Sequence, residues 1–497
     1  MIKNLLKKVS GLVSDWGRLE KILLLVVLLW AAFFRLYRLP GYMEFLGDQG
    51  RDVLVVKRFL TQNDLMFIGP QTSIGDMYLG PWYYYLMAPA LWLSGLSPVG
   101  PALMVVGFSL LSVFLAWWMA RQWFGRWAGL VAGLIMTFSP GIIYYSIFSW
   151  NPNIMPFFSL LVLWSTWRVW QNDDFNKLPL LALALAMALN SHYLGLLLFP
   201  PVALLLLVKL VRLSRSDRSV LTGFLLRGVL ALLVFLALMS PLFLFDLKHD
   251  WANFGSIWRF FTVRQTTVNL KFYKGLLGLP ALMEQILANL FTGHDKQAGI
   301  LLLVPLVVWG WWRRRQEKPT KFLLLFLFFG LLGLANYKQH VYAHYFGFFY
   351  PILVLLIAAG LKKFRVWGNL AVFLLLLLML GNWHGWRPPN WQLKRSELVA
   401  DSILEQSSGE KFAIALIAKA NYDSPYRYFL ELKDAPVVDL HEQLPEQLFV
   451  VCEPWGVECL PIGHPLWEIA AFGWAKIDRE WELEGVKVFR LVHEKVN

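Results

Sequence analysis

Apolar runs long enough to cross a lipid bilayer recur along the chain, and the short loops between them alternate in charge. A helix needs about 20 mostly apolar residues to span the hydrocarbon core. Such runs fall near residues 20–38, 99–120, 127–147, 154–170, 178–192, 194–211, 222–245, 299–312, 321–337, 343–361 and 366–382. Lipid offers no water to bond the backbone, so runs of this kind must be helical. The stretch from Leu178 to Leu210 is almost unbroken and is divided at Asn190-Ser191-His192. The run at 299–312 is short and ends in tryptophans.

Composition points the same way. Hydrophobic residues make up 57% of 497, charged residues 16%, and mean hydropathy is +0.51. A soluble domain carries about 25% charged residues. The net charge of +13 would raise nucleic acid as a partner in a soluble protein. Here the basic residues collect in loops instead, at Lys3/Lys7/Lys8, Arg121/Arg126, Lys177, Lys209/Arg212/Arg215/Arg218, Arg313/Arg314/Arg315/Lys318 and Lys362/Lys363/Arg365. Loops 149–153, 190–193 and 338–340 alternate with these. Placing the basic set in the cytoplasm satisfies the positive-inside rule and excludes a nucleic-acid role. The N-terminus is then cytoplasmic, the C-terminus is outside, and the span count is odd, which about eleven spans supply. Arg35 and Arg38, rather than a small-residue cleavage site, follow the first run, so it reads as a retained helix.

The expected architecture is an α-helical polytopic membrane protein. Residues 1–387 form a transmembrane module whose first and fourth non-cytoplasmic loops, 40–98 and 246–298, are long. Residues 388–497 form a small soluble non-cytoplasmic α/β domain. Within it, apolar stretches at 412–417, 448–452 and 486–491 read as strands, and 394–407 and 465–472 as helices. Cys452 and Cys459, seven residues apart, can pair in an oxidising compartment or stay as thiols.

The chemistry-bearing segment follows the first span: Glu44-Phe45-Leu46-Gly47-Asp48-Gln49-Gly50-Arg51-Asp52. If a helix begins at Asp48, Arg51 lies one turn on, on the same face. The pair then addresses one ligand, Asp48 taking a proton and Arg51 holding an anion. The plainer reading makes Asp48 a helix N-cap. Downstream, Asp76 precedes Gly80-Pro81 and four aromatics, Trp82 to Tyr85, which read as a turn into an interfacial, membrane-anchoring belt. Asn151, Asn153, His192, Asp246, His249, Lys338, His340 and His344 sit at the outer ends of spans, at one membrane level. No His or Cys pair has metal-ligand spacing.

These features resemble the GT-C superfamily of membrane glycosyltransferases. They resemble in particular bacterial relatives of the dolichyl-phosphate-mannose–protein mannosyltransferases and of the lipid A aminoarabinose transferase, which are glycosyltransferase family 39-like. The residues that carry it are Gly47 to Asp52 after a basic N-terminus and first span, Gly80 to Leu86, Asn190-Ser191-His192, and Pro241 to His249. The resemblance covers roughly residues 15–385. It implies a GT-C-like bundle taking a sugar from a polyprenyl-phosphate donor to a lipid, glycan or protein acceptor on the non-cytoplasmic face, in a bacterial inner (plasma) membrane. Asp48 then falls at the catalytic position and Arg51 contacts the donor phosphate. Lys338, Arg264 and His344 are further phosphate candidates, and Asp76, Tyr83, Tyr84, His192 and His249 are candidates to line the substrate cavity. Some relatives carry an acidic residue and Lys-Pro where this chain has Leu79-Gly80-Pro81, which leaves a divalent metal open. The competing reading is a transporter or lipid flippase. Such proteins carry paired broken helices near the midplane, whereas polar residues here gather at one surface.

Overall fold

The computed structural model describes residues 15–72, 77–215, 218–262, 272–297, 299–362 and 366–494. Helices stand at every position where the sequence predicts a span, including Arg18–Leu36, Val99–Phe124, Arg126–Phe138, Met155–Asn172 and Arg218–Lys248. Among the described residues, four are long and apolar enough to cross a membrane by length and composition: Val99–Phe124, Tyr193–Leu213, Arg218–Lys248 and Lys318–Ala335. The others are shorter or interrupted, and the helix positions alone do not establish the count of eleven.

Local chemistry explains the interruptions. The helix Leu178–Ser191 stops at His192, which is extended, and a 3-10 turn over Tyr193–Leu198 leads into Phe199–Leu213, where Pro200 and Pro201 occupy the first turn. Proline is tolerated there because those N–H groups have no intrahelical partner. The third span ends early, at Phe138, because Ser139 caps a separate short helix, Pro140–Tyr144.

The first span is fastened by a buried cation. Arg35, 1% exposed, donates to Ser109 Oγ at 2.8 Å and to the carbonyls of Ala31, Met136 and Thr137 at 3.1, 2.9 and 3.3 Å. A charge in this setting is retained only when its donors are satisfied.

Beyond Trp386 the chain leaves the helical bundle and builds a four-stranded sheet. Its strands are β1 (Phe412–Ile417), β2 (Gln447–Cys452), β3 (Ala475–Leu483) and β4 (Val486–His493), in the order β1-β2-β4-β3. β1 and β2 are parallel, joined through the helix Ser424–Leu432, and β4 is antiparallel to both neighbours. Strand alternation divides the core. Ile414, Leu416, Phe449 and Val451 face the helices and join the hydrophobic cluster of the membrane bundle. Ala413, Ala415, Val450 and Leu491 face the helix Trp467–Phe472. Cys452 and Cys459 are paired in a disulfide at the end of β2.

Candidate functional site

The first long loop supplies a helix, Gly47–Gln62, packed against the helix Ser424–Leu432 of the C-terminal sheet region. Asp48 is its second residue and not its cap. Capping is done by others: Gln49 Oε1 accepts the Leu46 N–H at 2.9 Å, and Asn421 Oδ1, from the C-terminal region, accepts the Gly47 N–H at 2.7 Å. The plainer reading of Asp48 therefore gives way. Its side chain is 37% exposed.

Arg51 stands one turn on, as the spacing predicts, with Nη1 2.9 Å from Asp48 Oδ1. It is engaged on its other edge as well: Nε and Nη2 donate to Asp52 Oδ1 at 3.0 and 2.8 Å. Burial alone would lower the Arg51 pKa, but the charges of Asp52 and Asp48 outweigh it and hold the guanidinium protonated. Asp52 is fully buried, and that burial pushes its carboxyl up to about 6 against the opposing pull of Arg51. Its Oδ1 also accepts the Tyr84 hydroxyl at 3.0 Å, while its Oδ2 has no partner among the described residues. Asp52 was visible in the motif, but only its burial distinguishes it from an ordinary surface acid.

The four aromatics after Gly80-Pro81 do not form an interfacial belt. They begin the helix Trp82–Leu93, which packs into the core. Tyr83 and Tyr84 are 1% and 3% exposed, and each hydroxyl is engaged, Tyr83 with Ser149 Oγ at 2.7 Å. Trp82 Nε1 donates to the Leu238 carbonyl and Tyr85 to the Met66 carbonyl. Amphipathic tips of this kind need a partner once buried, and these have one.

A second cluster lies beside the first. His344 packs at a tilt against Trp150, edge-on to Tyr345 and stacked on Tyr342, with ring centroids 4.5, 4.6 and 5.7 Å away, and His192 is 5.9 Å from it. The cluster reaches the first loop in two ways. Tyr83 bonds Ser149, the residue before Trp150. Tyr144 donates to Glu44, and Tyr145 links Tyr144 to His344 at 4.9 and 6.2 Å. Burial, with a smaller push from Asp48, raises the Glu44 pKa. A narrow cavity opens among Ser109, Ser112, Tyr145, Ser146, Asn153 and His344.

The remaining predicted residues divide. His249 is exposed and stacks on Phe245 at 4.0 Å, and Asp246 caps the helix Ala252–Thr262 by accepting the Asn253 and Phe254 N–H groups at 2.8 and 3.0 Å. Asn151 bonds the Ser191 carbonyl at 2.7 Å, so it fastens two loops. Lys338 is exposed in its loop. Asp76 and Arg264 lie outside the described residues, as do the loop charges Lys3, Lys7, Lys8, Lys363 and Arg365. Among the described residues no three His, Cys, Asp or Glu side chains converge as a metal site.

The fold itself has known counterparts. The chain superposes on ArnT from Cupriavidus metallidurans bound to undecaprenyl phosphate with a TM-score of 0.60 and 14% identity, covering 97% of this chain and 98% of that one. The chain shares the fold of that protein over nearly its whole length. The apo state of the same ArnT gives a TM-score of 0.54 at 14% identity, covering 96% and 98%. The Archaeoglobus fulgidus oligosaccharyltransferase in complex with zinc and sulfate gives 0.52 at 12% identity, covering 87% and 68%. Residues 79–245 match the family described as dolichyl-phosphate-mannose-protein mannosyltransferase. No curated protein sequence matches the chain. The likeness in fold runs through nearly the whole chain, and the likeness to that mannosyltransferase family through residues 79–245.

Proposed function

We propose that this protein moves a sugar from a polyprenyl-phosphate donor to a lipid, glycan or protein acceptor, at the non-cytoplasmic face of a bacterial inner membrane. The observation that carries this reading is the partly exposed Asp48 carboxylate, held by Arg51 at the start of the first-loop helix of a GT-C fold. A relative of that fold was crystallised with undecaprenyl phosphate.

In this reading an acceptor hydroxyl attacks the anomeric carbon as the bond from that carbon to the phosphate oxygen breaks. Asp48 takes the hydroxyl proton or orients it, and polyprenyl phosphate leaves with the bonding electrons. A base on the face opposite the leaving group gives inversion. The growing charge on the phosphate calls for fixed cations in a partly desolvated site. A guanidinium has five N–H donors, and the contacts of Arg51 to Asp48 and Asp52 use three. Lys338, Arg264 and His344 are the further candidates for the phosphate, and Tyr83, Tyr84, His192, His249 and Asp76 for the cavity around the sugar.

The test is to incubate the purified protein with a panel of polyprenyl-phosphate sugars and to compare Asp48→Asn. Sugar transfer by the natural chain and its loss in a variant that still inserts and folds support the reading. Undiminished transfer by Asp48→Asn overturns the mechanism.

A further inference from the structure

The N-terminus of the helix that carries Asp48 is completed by a residue 374 positions away in sequence. The first N–H groups of a helix have no intrahelical acceptor, and a side chain just before the helix usually supplies one. Here position 46 is a leucine, which has no acceptor to offer. The Gly47 N–H instead donates to Asn421 Oδ1 at 2.7 Å, across the junction between the first loop and the C-terminal region.

Asn421 is itself held on all sides. The same Oδ1 accepts the Tyr422 N–H at 2.9 Å, and Nδ2 donates to Glu453 Oε1 at 2.9 Å. Glu453 is buried, takes the Tyr426 hydroxyl at 2.8 Å, and directly follows the disulfide-bonded Cys452. Its own amide donates to the Ile417 carbonyl at 3.0 Å, at the end of β1. The amide orientation of Asn421 is therefore fixed by chemistry: only its oxygen can face two N–H donors while its nitrogen faces a carboxylate. Close backbone contact reinforces the junction. A Cβ placed on Gly47 would meet the Tyr422 ring at 2.3 Å, and one on Gly50 would meet Pro425 N at 2.4 Å.

We propose that Asn421 is a positioning residue for Asp48, so that the C-terminal region completes the active site by fixing the start of the first-loop helix from outside. This rests on the proposed role of Asp48. The helix start sets where the Asp48 carboxylate lies, and Asn421, Glu453 and the β1–β2 edge set the helix start. Small displacements of a reacting group are costly in rate, whereas substrate contacts elsewhere in the cavity do not depend on this clamp.

The experiment uses the full chain in detergent or nanodiscs, with two readouts. Hydrogen exchange over residues 45–50 reports the clamp whether or not a substrate is known. Turnover of undecaprenyl-phosphate-linked mannose or aminoarabinose, whichever the natural chain consumes, reports its consequence. Asn421→Ala is expected to raise exchange in that segment about fivefold, the size of a lost helix cap. It should lower kcat about tenfold while KM for the lipid donor stays unchanged. Asn421→Asp alone sets two carboxylates against each other and should show the same loss. The double variant Asn421→Asp/Glu453→Gln reverses donor and acceptor, leaves both Asn421 Oδ1 bonds intact, and should restore protection and kcat together.

Unchanged exchange in Asn421→Ala overturns the clamp. Raised exchange with unchanged kcat in an active enzyme overturns the positioning role, as does a double variant that restores protection but not kcat. If the natural chain turns over no donor in the panel, the sugar-transfer reading fails. The positioning role falls with it, while the exchange arm still decides whether the clamp exists.

Discussion

Gly50 faces Pro425 so closely that a Cβ added at Gly50 would lie 2.4 Å from the Pro425 nitrogen and 2.6 Å from the Ser424 carbonyl carbon. Both neighbours are backbone, so neither can swing aside as a flexible side chain would. Gly50→Ala should therefore push the first-loop helix off the C-terminal region, at a cost of about 1–3 kcal/mol, the usual penalty of overpacking. The expected result is a lower melting temperature in detergent and faster proteolysis of residues 388–494. A variant as resistant and as stable as the natural chain shows that the contact yields freely.

Arg51 bridges two carboxylates, Asp48 and Asp52, using three nitrogens. Lysine keeps the charge but offers a single flexible ammonium, which cannot hold both in a fixed plane. Arg51→Lys should lower sugar transfer by about tenfold or more, with a larger loss, on the order of 100-fold or more, in Asp48→Asn. Initial rates with a lipid-linked donor measure both. Equal activity in Arg51→Lys and the natural chain would show that the bridge is dispensable.

The carboxyl of Asp52 is pushed up to about 6, mainly by burial, whereas an exposed Asp titrates near 3.9. An acid with a raised folded pKa holds its proton more tightly in the folded state. The stability this gives is complete below about pH 4 and is lost as pH rises from about 4 to about 6. The melting temperature of the natural chain, relative to that of Asp52→Asn, should fall across that window and level off above it. A difference that stays flat from pH 4 to pH 7 would mean that Asp52 does not titrate there.

Much of this was legible in the sequence, because lipid makes hydropathy a direct reading of helix position. The break at Asn190-Ser191-His192 and the strand Phe412–Ile417 fall where pattern places them. The misses have physical causes. β3 escaped because it is a charged edge strand, with Lys476, Asp478, Arg479, Glu480 and Glu482 outward, and edges are kept polar to prevent pairing with other chains. Trp82 to Tyr85 look like a lipid-facing belt in sequence, since burial of an aromatic with its hydroxyl satisfied leaves no local signature. The Asp48–Arg51 pair was readable because it is local, at helical spacing. Asn421 and Glu453 were not, because their partners are brought together only by the docking of the C-terminal region.

Arg35 has four bonds inside the bundle, one to Ser109 Oγ and three to backbone carbonyls. Its planar fork spans acceptors on separate helices, which a lysine cannot reproduce. Arg35→Lys should destabilise the protein by about 2 kcal/mol or more, since bonds from charged donors are worth about 1.5–3 kcal/mol each. Thermal unfolding in a fixed detergent tests this, and an unchanged transition would show that the backbone carbonyls need no such donor.

Cys452 and Cys459 are the chain's two cysteines, and both lie in the C-terminal region. That makes them reporters of which side of the membrane the region occupies. Disulfides persist in oxidising compartments and are rare in the cytosol, and the charge alternation of the loops predicts that this end of the chain lies outside. In intact cells stripped of any outer barrier, a membrane-impermeant maleimide should label nothing until an impermeant phosphine has been added. It should then label Cys459 more readily than Cys452, which is fully buried. Labelling that appears only after the membrane is opened would put the C-terminal region in the cytoplasm. Asp48, clamped to that region through Asn421, would have to move with it, and a donor presented from the outer leaflet could no longer reach the site.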